Sequence, residues 1–278
     1  MGELSGRTVF MSGGSRGIGL AIAKRLATEG ANVAFVAKTD RPHPKLPGTI
    51  HTAAEEIEAA GGKALPILGD VRDEAQVAAA VEQAVERFGG IDVCVNNASA
   101  INLAPIGELP PKRYDLMLDI NTRGTFVVTQ ACLPHLRASD HAHVLTLSPP
   151  LSLDPRWLKG HSAYTVSKFG MSMITLGVAA DEPSIAANCL WPRTIIATAA
   201  VQNLLGGDAA MAASRTPEIV ADAAWEIVRK PPAEASGNTY IDDEVLAAAG
   251  IADLTGYAAG EGDELAHDIF AEDWAGRE

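Results

Sequence analysis

The sequence predicts an α/β protein built on a single Rossmann-type, doubly wound parallel sheet with helices on both faces. Strand and helix patterns alternate along most of the chain, and the strand segments are continuous apolar runs. Such runs are typical of parallel strands that are buried on both faces. A glycine-rich turn over residues 13–19 separates the first strand from the first helix, as in nucleotide-binding βα units. The sequence contains neither a linker nor a repeat, so one domain over residues 1–278 is expected, ending in an acidic tail over residues 243–278.

The predicted strands are apolar stretches that lie between turn residues. In chain order they cover residues 7–12, 32–38, 63–68, 91–96, 143–147, 185–190 and 238–242. A polar insert over residues 39–48 follows the second strand, and its prolines exclude regular structure. A proline-rich loop over residues 149–160 follows the fifth strand.

The predicted helices carry apolar residues at helical spacing. They cover residues 17–28, 51–60, 74–88, 113–133, 162–180 and 216–229. Gly30 and Gly61, which follow the first two helices, are typical helix ends. Pro134 is expected to lie just beyond the fourth helix, because proline disfavours a helix interior. Thr216 is expected to cap the sixth helix, with Pro217 at its first position.

Composition and charge exclude several classes of function. The chain has 278 residues, of which 47% are hydrophobic, and a net charge of -13 argues against nucleic acid or an anionic membrane as a partner. The sequence has neither a membrane-span pattern nor a secretory signal, so a cytoplasmic protein is expected. Cys94, Cys132 and Cys189 are expected to be buried free thiols. His141 and His143 have no evident third ligand, so no metal site is expected.

The glycine-rich turn predicts a dinucleotide site. Gly13, Gly17 and Gly19 permit a tight turn and close approach of the backbone to a pyrophosphate. The start of the following helix offers free N–H groups and the positive end of the helix dipole. The spacing is G-x-x-x-G-x-G, and the position of the turn between a strand and a helix strengthens the prediction.

Further along the chain, two strand ends fit the same ligand. Asp70 and Val71 follow the third strand and offer a carboxylate and an aliphatic wall for the adenine ring, although Asp70 could instead cap the next helix. Asn97 and Ala98 follow the fourth strand, at the carboxyl edge where open α/β sheets bind ligands.

The end of the second strand indicates which nicotinamide cofactor is preferred. Lys38 lies there, and Arg16 lies within the glycine-rich turn, so two cations are expected near the adenosine ribose. Cations at this place favour a 2′-phosphate, which predicts NADP(H). NAD(H) is the alternative, because Asp40 could shift inward and bind the ribose hydroxyl groups.

Tyr164 and Lys168 indicate the chemistry. They lie four residues apart in a predicted helix, so both side chains project from one face. A phenol has a pKa of about 10, and lowering it to about 7 requires about 4 kcal/mol in favour of the phenolate. A fixed ammonium group in a partly dry cleft can supply much of this. The pair therefore predicts proton transfer to or from a carbonyl group, coupled to hydride transfer.

These motifs together resemble those of the short-chain dehydrogenase/reductase family, in the family's order and spacing and over nearly the whole chain. They are Ser12-Gly13-x-x-x-Gly17-Ile18-Gly19, Asn96-Asn97-Ala98-Ser99, Asn121-Thr122-Arg123-Gly124 and Tyr164-x-x-x-Lys168. The resemblance implies an NAD(P)-dependent oxidoreductase that acts on CH–OH groups. It also implies a homodimer or homotetramer, built partly from the helices that carry Asn121 and Tyr164.

The resemblance also implies roles for individual residues. Tyr164 is the general acid in reduction and the general base in oxidation, Lys168 lowers its pKa and holds the nicotinamide ribose, and Asn121 completes a water relay to Lys168. The residues expected to contact the cofactor are Gly13, Ser15, Arg16, Gly17, Ile18, Gly19, Lys38, Asp70, Val71, Asn97, Ala98, Tyr164, Lys168 and Pro192.

The sequence departs from the family at the serine that orients the substrate oxygen. Aligning the fifth strand places Pro149 at that position, and proline has no hydroxyl group. Ser148 and Ser152 are the two candidates to replace it, and we expect Ser148, because it ends the strand. A catalytically weak nucleotide-binding regulator or scaffold is the alternative that Pro149 leaves open.

Apolar residues of two segments predict a hydrophobic ketone or secondary alcohol as the substrate. The segments are the proline-rich loop and the stretch after the sixth strand, and the expected pocket residues are Leu151, Leu153, Trp157, Trp191, Ile195, Ile196, Leu204 and Leu205. Gly206 and Gly207 are expected to form a hinge for a lid. The acidic tail is expected either to close over the site or to reach a neighbouring subunit.

Overall fold

A computed structural model describes residues 2–44, 46–261 and 264–270. Its centre is one sheet of seven parallel strands in the order β3-β2-β1-β4-β5-β6-β7. The strands are β1 Thr8–Ser12, β2 Asn32–Ala37, β3 Lys63–Leu68, β4 Val93–Asn96, β5 His143–Leu147, β6 Ala186–Trp191 and β7 Thr239–Ile241. The predicted fold class is confirmed.

Helices cover both faces of the sheet. They are α1 Gly17–Thr28, α2 Ile50–Ala59, α3 Glu74–Phe88, α4 Pro111–Met117, α5 Gly124–Leu136, α6 Ser162–Asp181, α7 Gly207–Ala212, α8 Glu218–Val228 and α9 Asp242–Ala248. Successive residues of β1 show the two layers: Val9 and Met11 pack with α1, α2 and α8, whereas Phe10 packs with α3 and α5 on the other face.

The largest difference from the sequence prediction lies at residues 113–133, where one continuous helix was expected. The structure does have an uninterrupted helical segment from Pro111 to Leu136, but within it a π-helical turn over Leu118–Arg123 lies between α4 and α5. Pro111 is accommodated at the start of α4, where its missing N–H group has no helical partner in any case. The prediction that Pro134 follows the helix is wrong, since it lies within the last turn of α5. The π turn carries Asn121, and such turns are frequent at functional sites.

Two smaller predictions are also corrected. Thr216 does not cap α8, because Pro217 occupies the N-cap position and the Thr216 N–H group donates to the Tyr257 carbonyl oxygen at 2.7 Å. The last strand ends at Ile241, and the acidic residues after it begin α9, where negative charges favour the helix N-terminus. The three cysteines are buried and free, as expected.

The sequence predicts neither a membrane span nor a metal site, and the described residues bear on both predictions. Within residues 2–44, 46–261 and 264–270, no helix has the length and apolar character of a membrane span. Within the same ranges, no group of three or more potential metal ligands lies together.

Candidate active site

A cavity of about 770 Å³ opens at the carboxyl edge of the sheet, where the strand order reverses beside β1. Its size is within the usual range for cofactor and substrate sites. Most of the predicted cofactor residues line it, namely Gly13, Ser15, Arg16, Gly17, Ile18, Lys38, Asp70, Val71, Asn97, Ala98, Tyr164, Lys168 and Pro192. Of the remaining predicted site residues, Gly19, Asn121 and Ser148 are not among the described residues that line it.

The glycine-rich turn after β1 has the conformation that glycine permits. Gly13 and Gly17 have positive φ angles of 76° and 53°. A Cβ atom on Gly19 would lie 2.4 Å from both the Asn97 amide nitrogen and the Gly13 carbonyl oxygen. The Asn97 amide donates to that same carbonyl oxygen at 2.8 Å. The lack of a side chain at Gly19 therefore lets the turn pack closely against the end of β4. This packing keeps the backbone of the turn open to the cavity.

Two cations line one end of the cavity. The Arg16 guanidinium has two buried nitrogens, Nε and Nη2, that lack a hydrogen-bond partner among the residues the structure describes. Lys38 is half exposed, and its Nζ lies 3.4 Å from an Asp70 carboxylate oxygen. Arg72 hydrogen-bonds the same carboxylate and lowers the pKa of Asp70 to about 2, so Asp70 is charged at neutral pH. Asp40 is not one of the described lining residues.

Tyr164 and Lys168 reach the same cavity from α6. Both side chains are almost wholly buried, at 5% and 2% exposure. The Lys168 ammonium donates to the Leu147 carbonyl oxygen at 2.6 Å and lies 4.8 Å from the centre of the Trp191 ring. These contacts fix the ammonium group at the end of β5.

Burial dominates the ionisation of this pair. Burial lowers the pKa of Lys168 to about 7, whereas the negative charge of Asp268 has the opposite effect and raises this pKa. Burial raises the pKa of Tyr164, as does the negative charge of Asp268, whereas a hydrogen bond from the Ser99 hydroxyl lowers it. In the protein alone, burial has the largest effect on the pKa of Tyr164.

Asn121 acts on the segment after β4. Its side-chain oxygen accepts from the Ala100 N–H group at 2.7 Å, and its side-chain nitrogen donates to the Ala100 carbonyl oxygen at 2.9 Å. The same nitrogen donates to the Ser167 hydroxyl at 2.9 Å. Among the described residues, the hydrogen bonds of the Asn121 side chain connect the π turn, α6 and the segment after β4.

Among the described residues, no hydrogen bond joins Ser148 to Tyr164, and Ser148 does not line the cavity. Ser148 is fully buried beside Cys189, and its hydroxyl group has no hydrogen-bond partner in the described part of the chain. Pro149 is buried, and its carbonyl oxygen accepts from Ser172 at 2.6 Å. The Ser152 hydroxyl accepts from the Asp154 N–H group at 3.1 Å. The serine that lines the cavity together with Tyr164 is Ser99, which lowers the pKa of the Tyr164 phenol and which the sequence interpretation did not place in the site.

Sequence reasoning also missed two residues of the acidic tail. Asp268 lines the cavity and accepts from the Trp191 indole nitrogen at 2.7 Å, and burial raises its pKa to about 6. Phe270 is fully buried, and its ring stacks on Tyr164 with 5.9 Å between centroids. The rings of Trp157 and Trp191 each contact Phe270 edge-on at 5.7 Å.

The contacts of Phe270 show that the tail does return to the active site. Backbone hydrogen bonds hold this return: Ile195 donates to Ala266, Ala266 donates to Ala213, and Asp268 donates to Arg193. The sequence contains one sign of this return, namely the aromatic residue Phe270 in a stretch that is otherwise acidic and rich in alanine.

The predicted apolar pocket is found in part. Trp191, Ile196 and Leu204 line the cavity, whereas Trp157 is buried against Phe270 instead. Leu151 and Leu153 are exposed, and Ile195 is not among the described lining residues. The Leu205 side chain lies outside the described part of the chain. Gly206 and Gly207 have positive φ angles at the start of α7, a conformation that favours glycine.

Comparisons with known proteins agree with this geometry. A family model for short chain dehydrogenases matches residues 7–208. Hydroxysteroid dehydrogenase-like protein 2 of Xenopus tropicalis is 55% identical over 98% of this chain and 65% of its own length. The chain therefore spans slightly less than two thirds of that relative. The solved structure of a proposed dehydrogenase from Xanthomonas campestris is similar with a TM-score of 0.93 at 54% identity, covering 97% of this chain and 99% of that one.

A second solved structure gives the same result. It is a short chain dehydrogenase from Mycobacterium thermoresistibile, with a TM-score of 0.91 at 58% identity, covering 97% of this chain and 96% of that one. On sequence alone, the insert over residues 42–46 and the stretches 148–151, 191–194 and 240–246 resemble hydroxysteroid dehydrogenase-like protein 2. That prediction of the relative is confirmed.

Proposed function

The chain belongs to the short chain dehydrogenase family and is an oxidoreductase, and we propose that it interconverts a hydrophobic ketone and a secondary alcohol with NADP(H). The observation that carries the proposal is that Tyr164 and Lys168 meet the glycine-rich turn in one cavity. In this proposal Tyr164 gives the proton in reduction and receives it in oxidation. The bound nicotinamide gives or accepts the hydride.

The residues present fit such a cofactor. Gly13 and Gly17 have the positive φ angles that let a backbone approach a pyrophosphate closely. Asp70 is charged and borders the cavity together with Val71, as binding of an adenine ring requires. Lys168 is held at the end of β5, and in this proposal it binds the nicotinamide ribose and stabilises the Tyr164 phenolate. The positive charge of an oxidised nicotinamide would add to that stabilisation and oppose the effect of burial.

The preference for NADP(H) rests on Arg16 and Lys38. Two buried nitrogens of the Arg16 guanidinium lack a partner among the described residues, so this group is suited to an anionic ligand. A 2′-phosphate fits it best, because the phosphate oxygens can accept two parallel hydrogen bonds from the planar guanidinium. Lys38 adds a second positive charge at the edge of the same cavity. Asp40, the residue on which the NAD(H) alternative depends, is not one of the described lining residues.

We expect Arg16→Gln to weaken NADPH binding and to leave NADH binding nearly unchanged. Hydrogen bonds to a charged group contribute about 1.5–3 kcal/mol, which corresponds to a Kd increase of about 10- to 100-fold. Fluorescence titration of the protein with each cofactor measures both constants. Arg41→Gln is the matched control, because Arg41 is in the neighbouring insert and 89% exposed. Equal weakening of NADPH and NADH binding by Arg16→Gln would contradict the assignment.

A hydrophobic substrate is proposed from the apolar side of the cavity. Trp191, Ile196 and Leu204 line the cavity together with Tyr164, and the ring of Phe270 stacks on that tyrosine. The regulator or scaffold alternative depends on Pro149, and it predicts cofactor binding without turnover of any carbonyl compound. Turnover of ketones therefore separates the two functions.

We also propose a homodimer or homotetramer, as the family resemblance implies. Three apolar side chains on the outer faces of α5 and α6 remain exposed in the single chain, namely Phe126, Val166 and Met173. Sedimentation equilibrium should give a mass of two or four times 29.0 kDa, and Met173→Glu should reduce it. One domain over residues 1–278 and a cytoplasmic location remain part of the proposal, the latter because the three buried thiols suit a reducing compartment.

A further inference from the structure

At the end of β5, the proposed reaction lacks a residue that could orient the substrate oxygen. A carbonyl oxygen that gains negative charge in the transition state needs a fixed hydrogen-bond donor besides the phenol. Pro149 has no hydroxyl group, and Ser148 is fully buried beside Cys189. The Ser152 hydroxyl accepts from a backbone N–H group of its own loop, and Ser152 is not among the described residues that line the cavity. A donor must therefore come from another element that reaches Tyr164.

Ser99 is such a donor. It follows β4, which pairs with β5 in the sheet, and so it lies at the same carboxyl edge as the residues at the end of β5. It lines the cavity together with Tyr164 and Lys168, and it is exposed to that space, whereas Ser148 is fully buried. Its hydroxyl group lowers the pKa of the Tyr164 phenol, as a nearby donor does. A carbonyl oxygen that approaches the phenol would meet this hydroxyl group as well.

The segment that carries Ser99 is held on both sides. Before it, the N–H groups of Asn97 and Ala98 each donate to the Ser12 hydroxyl at 3.2 Å. After it, both backbone groups of Ala100 are bound by the Asn121 side chain, at 2.7 Å and 2.9 Å. A donor on a segment fixed in this way loses little freedom when substrate binds, which is the condition for effective orientation.

We propose that Ser99, and not Ser148, orients the substrate carbonyl oxygen, and that Asn121 is a positioning residue that holds Ser99 in place. This inference rests on the proposed function. In reduction the carbon–oxygen π bond breaks, the carbon gains the hydride that the cofactor supplies, and the oxygen gains the phenolic proton of Tyr164. Ser99 keeps its proton throughout and donates a hydrogen bond to the oxygen. Oxidation is the reverse.

The direct test compares Ser99→Ala with Ser148→Ala and Ser152→Ala, using NADPH and a ketone that the wild-type protein reduces. Removing one such donor typically lowers kcat by about 10²- to 10³-fold. We expect a loss of that size for Ser99→Ala, an unchanged Kd for NADPH, and partial rescue by Ser99→Thr, which restores the hydroxyl group. For Ser148→Ala and Ser152→Ala we expect wild-type kcat.

A double-mutant cycle tests the part that Asn121 plays. If Asn121 acts through Ser99, Asn121→Ala combined with Ser99→Ala should cost no more in kcat/KM than the larger of the two single losses. If the loss in kcat/KM of the double variant equals the product of the two single losses, the positioning role of Asn121 is overturned. Thermal unfolding of each variant shows whether a loss of activity comes from a general loss of structure. If Asn121→Ala fails to fold, Asn121→Ser offers the same comparison with a smaller change.

The outcomes separate the inference from the function on which it rests. Wild-type kcat in Ser99→Ala, or the large loss in Ser148→Ala instead, would overturn the assignment of Ser99 while the reductase function stands. A wild-type protein that binds NADPH but reduces no carbonyl compound would overturn the proposed function, and the inference with it.

Discussion

Tyr164→Phe is expected to abolish ketone reduction and to leave NADPH binding intact. A positioned general acid contributes about 10²- to 10⁴-fold to rate, and here the phenol also donates the proton that completes the product. The phenylalanine ring keeps the stacking contact with Phe270 at the same place in α6, so the fold should be retained. Absorbance of the reduced nicotinamide measures turnover, and fluorescence titration measures the Kd of NADPH.

The same variant decides between the enzyme and the regulator or scaffold. A non-catalytic role that depends on cofactor binding should survive the loss of one hydroxyl group. Lys168→Met is the companion variant, because it removes the ammonium group that donates to Leu147 and keeps an unbranched side chain. Turnover of the Tyr164→Phe protein at more than a tenth of the wild-type rate would show that another group transfers the proton.

Phe270→Ala is expected to cause the second large effect, on stability. The side chain is fully buried and its ring contacts those of Trp157, Tyr164, Phe169 and Trp191. Truncation of a buried phenylalanine costs about 3–5 kcal/mol, through lost burial and the cavity that remains. Urea unfolding, followed by tryptophan fluorescence, should show a lower midpoint. Because two of these rings are tryptophans, the folded-state spectrum should change as well.

Leu153→Ala is the control for this prediction, since Leu153 is 89% exposed and its truncation should change stability by less than about 0.5 kcal/mol. Phe270→Leu should fall between the two, because it keeps part of the buried volume. If Phe270→Ala shifts the midpoint no more than Leu153→Ala does, the tail residues 264–270 do not pack on Tyr164 in solution.

The sequence was most informative where a short stretch determines both the local structure and the chemistry. Gly13 and Gly17 need conformations that glycine supplies, and Tyr164 and Lys168 share a helix face because of their spacing alone. Strand limits such as residues 63–68 and 143–147 were also predicted as the structure has them, because apolar runs between turn residues define them.

Features that depend on contacts between distant segments were not predictable in this way. The apolar pattern over residues 113–133 is compatible with an α-helix throughout, and the π turn at Asn121 shows itself only in its contacts with Ala100 and Ser167. Phe270 is far along the chain from Tyr164, and no local pattern links them. Ser148 was chosen for its place at the strand end, but the direction of its side chain depends on packing against β6.

The most direct test of the central proposal is the loss of reduced-nicotinamide absorbance when the wild-type protein is mixed with NADPH and a series of medium- and long-chain ketones. The proposal predicts steady turnover that increases with the apolar character of the ketone and is faster with NADPH than with NADH. Tight binding of NADPH without turnover of any ketone would contradict it, and would favour a nucleotide-binding role for this fold.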